Sequence, residues 1–173
     1  MTGATDRRRL FFAFWPDDPT RAALEAARTR LFPLDGRPVA AADLHVTAAF
    51  LGAVSEARVP ALLRLATAVP PFELCFDRVD FWPRPKVLVA VSSQSPPRAA
   101  AAVDSLWGAL SRLGFRRDPR PWRPHVTLAR DTRAPRRDPQ WPAVGWPVRG
   151  LRLVESLPAE AAAPAGARYR TLG

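Results

Sequence analysis

Residues 43–52 read "DLHVTAAFLG" and residues 123–130 read "RPHVTLAR". The chain has two histidines, His45 and His125, and each stands directly before Val-Thr. With this chain's Val and Thr frequencies, chance produces that coincidence on the order of once in 10⁵ sequences. Both stretches have the apolar-polar order of a strand, in which successive side chains alternate faces. His45 and Thr47 then share one face while Val46, Ala48 and Phe50 take the other, so Phe50 is expected in the core. His125 and Thr127 likewise share a face opposite Val126 and Leu128. Each strand offers an imidazole and a hydroxyl about 6–7 Å apart, backed by an apolar face that anchors it. Two such strands side by side line a groove with two imidazoles and two hydroxyls.

Working outward, "RLFFAFW" reads as a strand, and "PDDPTRAALEAARTRLF" as a helix opened by Asp and Pro. Gly52 closes the first histidine strand, and "SEARVPALLRLATAV" is helical in period, with Pro60 as a kink or boundary. "FELCFDRVDFW" and "KVLVAVSS" flank "PRP" as a hairpin or meander. "PPRAAAAVDSLWGALSRLG" is a helix with Pro97 at its start and Gly114 at its C-terminal cap. A short extended piece follows near Phe115, then the second histidine strand, a Pro/Arg-rich surface loop over 131–142, and a last long strand through "WPVRGLRLVES". The order β-α-β-α-β-β-α-β-β places a helix before each histidine strand, a diverged internal duplication.

A chain of 173 residues with 47% apolar side chains is sized for a single domain spanning 1–173. The lone Cys75 forms no internal disulfide, and its setting in "FELCFD" predicts a buried thiol in a reducing, cytoplasmic compartment. The apolar run Leu10–Trp15 ends at Pro16 and Asp17, too short for a leader, and no later run reaches the length of a membrane span. The net charge of +10 points to a polyanionic partner such as RNA, DNA or a nucleotide. All 26 basic residues but Lys86 are arginine, in a chain also rich in Ala and Pro. Coding bias produces such a composition too, so charge alone does not fix the partner.

Two histidines without accompanying Cys, Asp or Glu at ligand spacing fall short of a zinc set, so neither a metal nor another cofactor is expected. Imidazoles titrate near neutrality. One can take a proton from an attacking water while the other gives one to a leaving oxygen. Hydroxyls and arginines can hold the phosphoryl oxygens between them. These are the parts of an in-line phosphoryl displacement.

"LHVTAAFLG" and "RPHVTLAR" resemble the paired His-x-Thr motifs of the two-histidine (2H) phosphoesterases. "RLFFAFWPDD", "FDRVDFWPRPKVLVAV" and "LRLVES" are similar to the bacterial and archaeal RNA 2′,3′-cyclic phosphodiesterase branch, long named 2′-5′ RNA ligase. The resemblance implies a bilobal α+β fold of pseudo-two-fold symmetry, with two antiparallel sheets lining a central cleft and helices outside. It implies metal-independent opening of a 2′,3′-cyclic phosphate to a 2′-phosphomonoester, on an RNA end or a cyclic nucleotide, by a monomer with no membrane partner. His45 matches the proton donor to the leaving 3′ oxygen, and His125 the proton acceptor from water. Thr47 and Thr127 match phosphate-binding hydroxyls. Arg130 stands where the second motif often carries a basic residue, although strict alternation puts it on the face opposite His125. Trp122 and Arg123 are candidates for nucleotide contact or for packing. Members of that branch often continue with another apolar stretch beyond "GARYRTLG", whereas this chain stops at Gly173, which leaves the last strand open and touches no motif residue. Reverse joining of a cyclic end to a 5′-hydroxyl is a minor expectation, and a non-catalytic nucleotide- or RNA-binding module is the alternative.

Overall fold

The computed structural model describes residues 6–135, 140–158 and 167–173. Its elements run β1 (Arg7–Phe14), α1 (Asp18–Thr29), β2 (Arg37–Pro38), β3 (Val46–Ser55), α2 (Val59–Leu63), β4 (Ala68–Phe76), β5 (Arg78–Trp82) and β6 (Val87–Val91). They continue α3 (Pro97–Arg112), β7 (His125–Arg130), β8 (Val144–Gly150), β9 (Arg152–Ser156) and β10 (Tyr169–Thr171). Two four-stranded sheets, ordered β10-β9-β1-β3 and β2-β7-β6-β5, carry one histidine motif each, and β4 pairs with β8 as a two-stranded ribbon. Every pairing among the described residues is antiparallel. The fold is the α+β, two-sheet architecture expected.

Two inner strands, one in each sheet, have no polar face where they cross the core. Leu10 through Phe14 on β1 and Val87 through Val91 on β6 are all buried, as expected of strands covered on both sides. One face of each joins the shared core, where Leu10, Phe12 and Phe14 meet Leu128, Val126 and Ala90. The opposite faces build two small satellites under the cleft. Phe11, Ala13 and Val154 gather with Trp15 and Tyr169 in one half, and Val87, Val89 and Val91 gather with Trp82 in the other.

The helices cover the outside. In α1, the Asp17 side chain caps the backbone N–H of Thr20 at 2.9 Å, and Thr20, Leu24, Ala27 and Arg28 form its buried stripe against β8. In α3, Ala99, Val103, Leu106, Trp107 and Leu110 face β3 and β4, and Gly114 at φ +81° ends the helix in the left-handed conformation. Both end signals are where the sequence puts them.

Several expectations change. "FELCFDRVDFW" is not one strand, because β4 ends at Phe76 and β5 starts at Arg78 in a different sheet. "WPVRGLRLVES" divides in the same way at Leu151, whose backbone N–H binds the Thr67 carbonyl at 2.9 Å. The helix at 55–69 shrinks to Val59–Leu63, since Ala68 already pairs with Gly150. Cys75 is exposed: along β4, Phe72, Leu74 and Phe76 point inward and Cys75 alternates outward. Gly52 does not end its strand, which runs to Ser55; at φ +71° it pairs with Leu10 beside a register shift. Strand β10 forms at Tyr169–Thr171, the last strand that the sequence left open. Of the Pro/Arg-rich loop, 136–139 lie outside the described residues.

Candidate active site

His45 sits immediately before β3 and His125 opens β7, and both line one open cleft of about 970 Å³ with Thr47 and Thr127. The motifs share an irregularity. On β3, Thr47 pairs with Ala13 but Ala49 with Phe12, so Ala48 is an extra residue. On β7, Thr127 pairs with Val89 but Ala129 with Leu88, so Leu128 is extra. Each bulge follows the threonine directly and resets the alternation. Ala48 and Ala49 are both buried, as are Leu128 and Ala129, and the next residue in each motif returns to the cleft. That residue is Phe50 in one copy and Arg130 in the other.

Two expectations are corrected by this geometry. Arg130 lies on the cleft side with His125, not opposite it, and its guanidinium donates to the Tyr169 hydroxyl at 3.4 Å. Phe50 is not core; it is 51% exposed at the cleft with the Arg9 guanidinium 4.9 Å from its ring centre. The residues behind the correction are visible in sequence, since "TAAF" and "TLAR" each put two apolar residues after the threonine and break strict alternation.

The imidazoles are held alike. His45 Nδ1 lies 2.6 Å from the Asp43 carbonyl, and His125 Nδ1 lies 2.8 Å from the Arg123 carbonyl, two residues upstream in both cases. A carbonyl only accepts, so Nδ1 carries the proton and Nε2 is left for chemistry in each ring. Aromatic side chains fix the ring planes. Trp15 stacks on His45 at 5.3 Å and 6°, with Phe11 at 5.1 Å and Tyr169 edge-on at 5.0 Å. Trp82 packs on His125 at 4.6 Å. Trp15 and Trp82 each belong to a Phe-Trp-Pro triplet, at 14–16 and 81–83. That second repeat is the signal by which the sequence could have disclosed both partners.

Burial in this setting holds His45 down to about 4, opposed by its carbonyl bond and reinforced by the charges of His125 and Arg130. Burial also lowers His125, again against its carbonyl bond, with Arg123 and Arg130 adding to the depression. Both rings are therefore neutral near pH 7. The walls are basic: among the described residues, Arg7, Arg8, Arg9, Arg37, Arg130 and Arg168 line the cleft against Asp43 and Glu155 alone. Glu155 is engaged by Arg8 through two bonds of 2.9 Å and by Arg170. Burial pushes its carboxyl up, but the two guanidinium groups outweigh this and hold it below the usual range.

Asp43 was not singled out in the sequence. Its carboxylate accepts the backbone N–H groups of Arg168 at 2.7 Å and Tyr169 at 3.3 Å, tying β10 to the first motif. Burial raises its carboxyl despite those bonds. Trp122 resolves toward packing: its indole N–H donates to the Thr47 carbonyl at 2.9 Å and its ring meets Phe14 edge-on. Arg123 holds His125 through its carbonyl, while its guanidinium lies 3.8 Å from Asp80 and 5.9 Å from the Trp82 ring centre.

Among the described residues no three His, Cys, Asp or Glu side chains gather as a metal set. One basic cleft is lined by both imidazoles, both threonine hydroxyls and the Arg130 guanidinium. Such a set can bind a phosphoryl group and pass protons on either side of it.

Known proteins resemble this chain in sequence and in fold. The RNA 2′,3′-cyclic phosphodiesterase of Escherichia coli is 37% identical over 131 residues, covering 73% of this chain and 74% of the relative. The protein of the same name from Thermus thermophilus is 35% identical over 164 residues, covering 86% and 81%. The crystal structure of E. coli LigT complexed with 3′-AMP superposes with a TM-score of 0.82 at 33% identity, covering 97% of both chains. A family model described as the 2′-5′ RNA ligase superfamily matches residues 16–159, and with these relatives it places the two His-Val-Thr strands in context: the chain belongs to the 2′-5′ RNA ligase superfamily.

Proposed function

We propose that this protein is an RNA 2′,3′-cyclic phosphodiesterase that opens cyclic phosphate ends to 2′-phosphomonoesters without a metal. The observation that carries the reading is the pair of imidazoles, each with Nδ1–H committed to a carbonyl and Nε2 free, in one arginine-lined cleft. The anionic cyclic phosphate binds between Thr47, Thr127 and Arg130. His125 Nε2 takes a proton from water, which attacks phosphorus in line. His45 Nε2–H then protonates the departing 3′ oxygen.

Two features favour that division. The charge of Arg123 falls on His125 and disfavours an imidazolium there, which suits a base. Trp15 lays its ring face on His45 at 5.3 Å and 6°, which stabilises an imidazolium once the phosphate supplies a counter-charge. The shared apolar core under both sheets supports one domain over 1–173. A monomer acting in the cytoplasm belongs to the same proposal, with joining of RNA ends as a minor reverse reaction.

The test is hydrolysis of a 2′,3′-cyclic RNA end in EDTA. His45→Ala and His125→Ala should each cost 10²-fold or more in kcat/KM; full activity in either sinks the reading. A substrate with sulfur as the 3′ bridging atom separates the roles, because a thiolate leaves without protonation. It should restore activity to His45→Ala and not to His125→Ala.

A further inference from the structure

Tyr169, the one tyrosine in the chain, lies on the edge strand β10 and lines the same cleft as the two histidines. We propose that Tyr169 supplies a third phosphate-binding hydroxyl, beside those of Thr47 and Thr127, and donates it to a phosphoryl oxygen held by Arg130. The inference rests on the phosphodiesterase reading and adds to it a binding residue from outside both His-Val-Thr motifs.

Three observations carry it. The first is placement. The Tyr169 ring meets His45 edge-on at 5.0 Å, while its hydroxyl accepts from the Arg130 guanidinium at 3.4 Å. One side chain thus touches the imidazole of one sheet and the guanidinium of the other, and a phosphoryl group held by both lies against it. The second is the hydrogen-bond inventory. A phenol has one proton to give as well as lone pairs that accept. Arg130 uses a lone pair, and among the described residues no acceptor takes the proton. Nor does a carboxylate pair with the Arg130 guanidinium among those residues, so two donors stand together with nothing to donate to. One oxygen of a bound phosphoryl group satisfies both. The third is anchoring. Asp43, 4% exposed, holds His45 Nδ1 with its carbonyl at 2.6 Å and accepts the backbone N–H groups of Arg168 and Tyr169 with its carboxylate at 2.7 and 3.3 Å. Phe11 packs on both rings, 5.1 Å from His45 and 5.2 Å from Tyr169. Imidazole and phenol are therefore set relative to each other before any anion arrives, which is the preorganisation an anion site needs.

Packing on His45 uses only the ring, so Tyr169→Phe isolates the hydroxyl. It should lower kcat/KM for a 2′,3′-cyclic phosphate end about tenfold, the scale of one hydrogen bond to a charged group, and weaken inorganic phosphate binding several-fold, with Tm unchanged. In an Arg130→Ala background the same replacement should cost less than about threefold, because Arg130 orients the phenol toward the oxygen they share. A second measurement needs no variant. With one tyrosine in the chain, protein labelled with 3-fluorotyrosine gives one fluorine resonance, which should shift and saturate as inorganic phosphate is added. A resonance that ignores saturating phosphate overturns the inference. So does Tyr169→Phe that matches the unaltered protein in kcat/KM and phosphate affinity while Tyr169→Leu is impaired, since the ring alone would then matter. A protein that shows the fluorine shift yet opens no cyclic end would instead overturn the phosphodiesterase reading and leave the hydroxyl as an anion ligand.

Discussion

At the residue scale, the shared bond from Nδ1–H to a carbonyl two positions back settles the tautomer of both histidines, and burial then settles their charge. Both rings are neutral near pH 7, yet the proposed proton donation to a leaving oxygen needs one of them protonated. The proton must arrive with the anion. Sulfate, a tetrahedral dianion with no titrating proton in this range, should therefore bind with net proton uptake near pH 6. Calorimetry in two buffers of different ionisation heat measures it, and His45→Ala should lose part of the uptake. Zero uptake in the unaltered protein would contradict the depressed imidazoles. Stability has a matching sign. An unfolded histidine binds its proton below about 6.5, whereas folded His45 does so only near 4. Between those values the unfolded state holds more protons, so stability falls as pH drops through that window. His45 contributes a slope of at most about 1.4 kcal/mol per pH unit. Urea titrations at pH 7, 6 and 5 should show the loss, and His45→Ala should flatten it.

At the scale of elements, the bulges and β10 do what a regular strand cannot. Alternation read from sequence places His45, Thr47, His125 and Thr127 on the cleft, where the structure puts them. It fails for Phe50 and Arg130, because a bulge is a property of the pairing between two strands and the sequence shows one strand at a time. The divided strands at Asp77 and Leu151 escaped for a related reason: periodicity continues across a point where the partner changes. Strand β10 was illegible because Asp43, 125 residues away, supplies its anchor through side-chain bonds to backbone. Asp43→Ala should free two backbone N–H groups of their acceptor and loosen the strand that carries Tyr169. The expected outcome is a loss of about 1–3 kcal/mol in stability, faster amide exchange at 168–171, and a fall in kcat as Tyr169 leaves the His45 ring. Unchanged exchange at Tyr169 would show that β9 alone holds β10.

Across the whole molecule, one pseudo-symmetric plan is used twice: a central apolar strand, a Phe-Trp-Pro triplet whose tryptophan packs on an imidazole, and a bulged His-Val-Thr strand. At the position that returns to the cleft after each bulge the copies carry Phe50 against Arg130, an aromatic ring on one side and a guanidinium on the other. The net charge of +10, ambiguous in the composition, becomes informative once arginines are seen to line the cleft. Phosphate contacts release counterions, and for single strands each contributes about 0.7 to the slope of log affinity against log salt. A mononucleotide offers one phosphate and should show a slope of about −0.7. A cyclic-ended oligonucleotide that engages the other arginines of the cleft, with about three phosphates held, should show about −2. Binding measured on His125→Ala, which prevents turnover, between roughly 50 and 300 mM NaCl distinguishes them. Equal slopes for the two ligands would mean that the arginines beyond the reacting phosphate are a general surface charge, and that the basic character of the chain plays no part in holding an RNA strand.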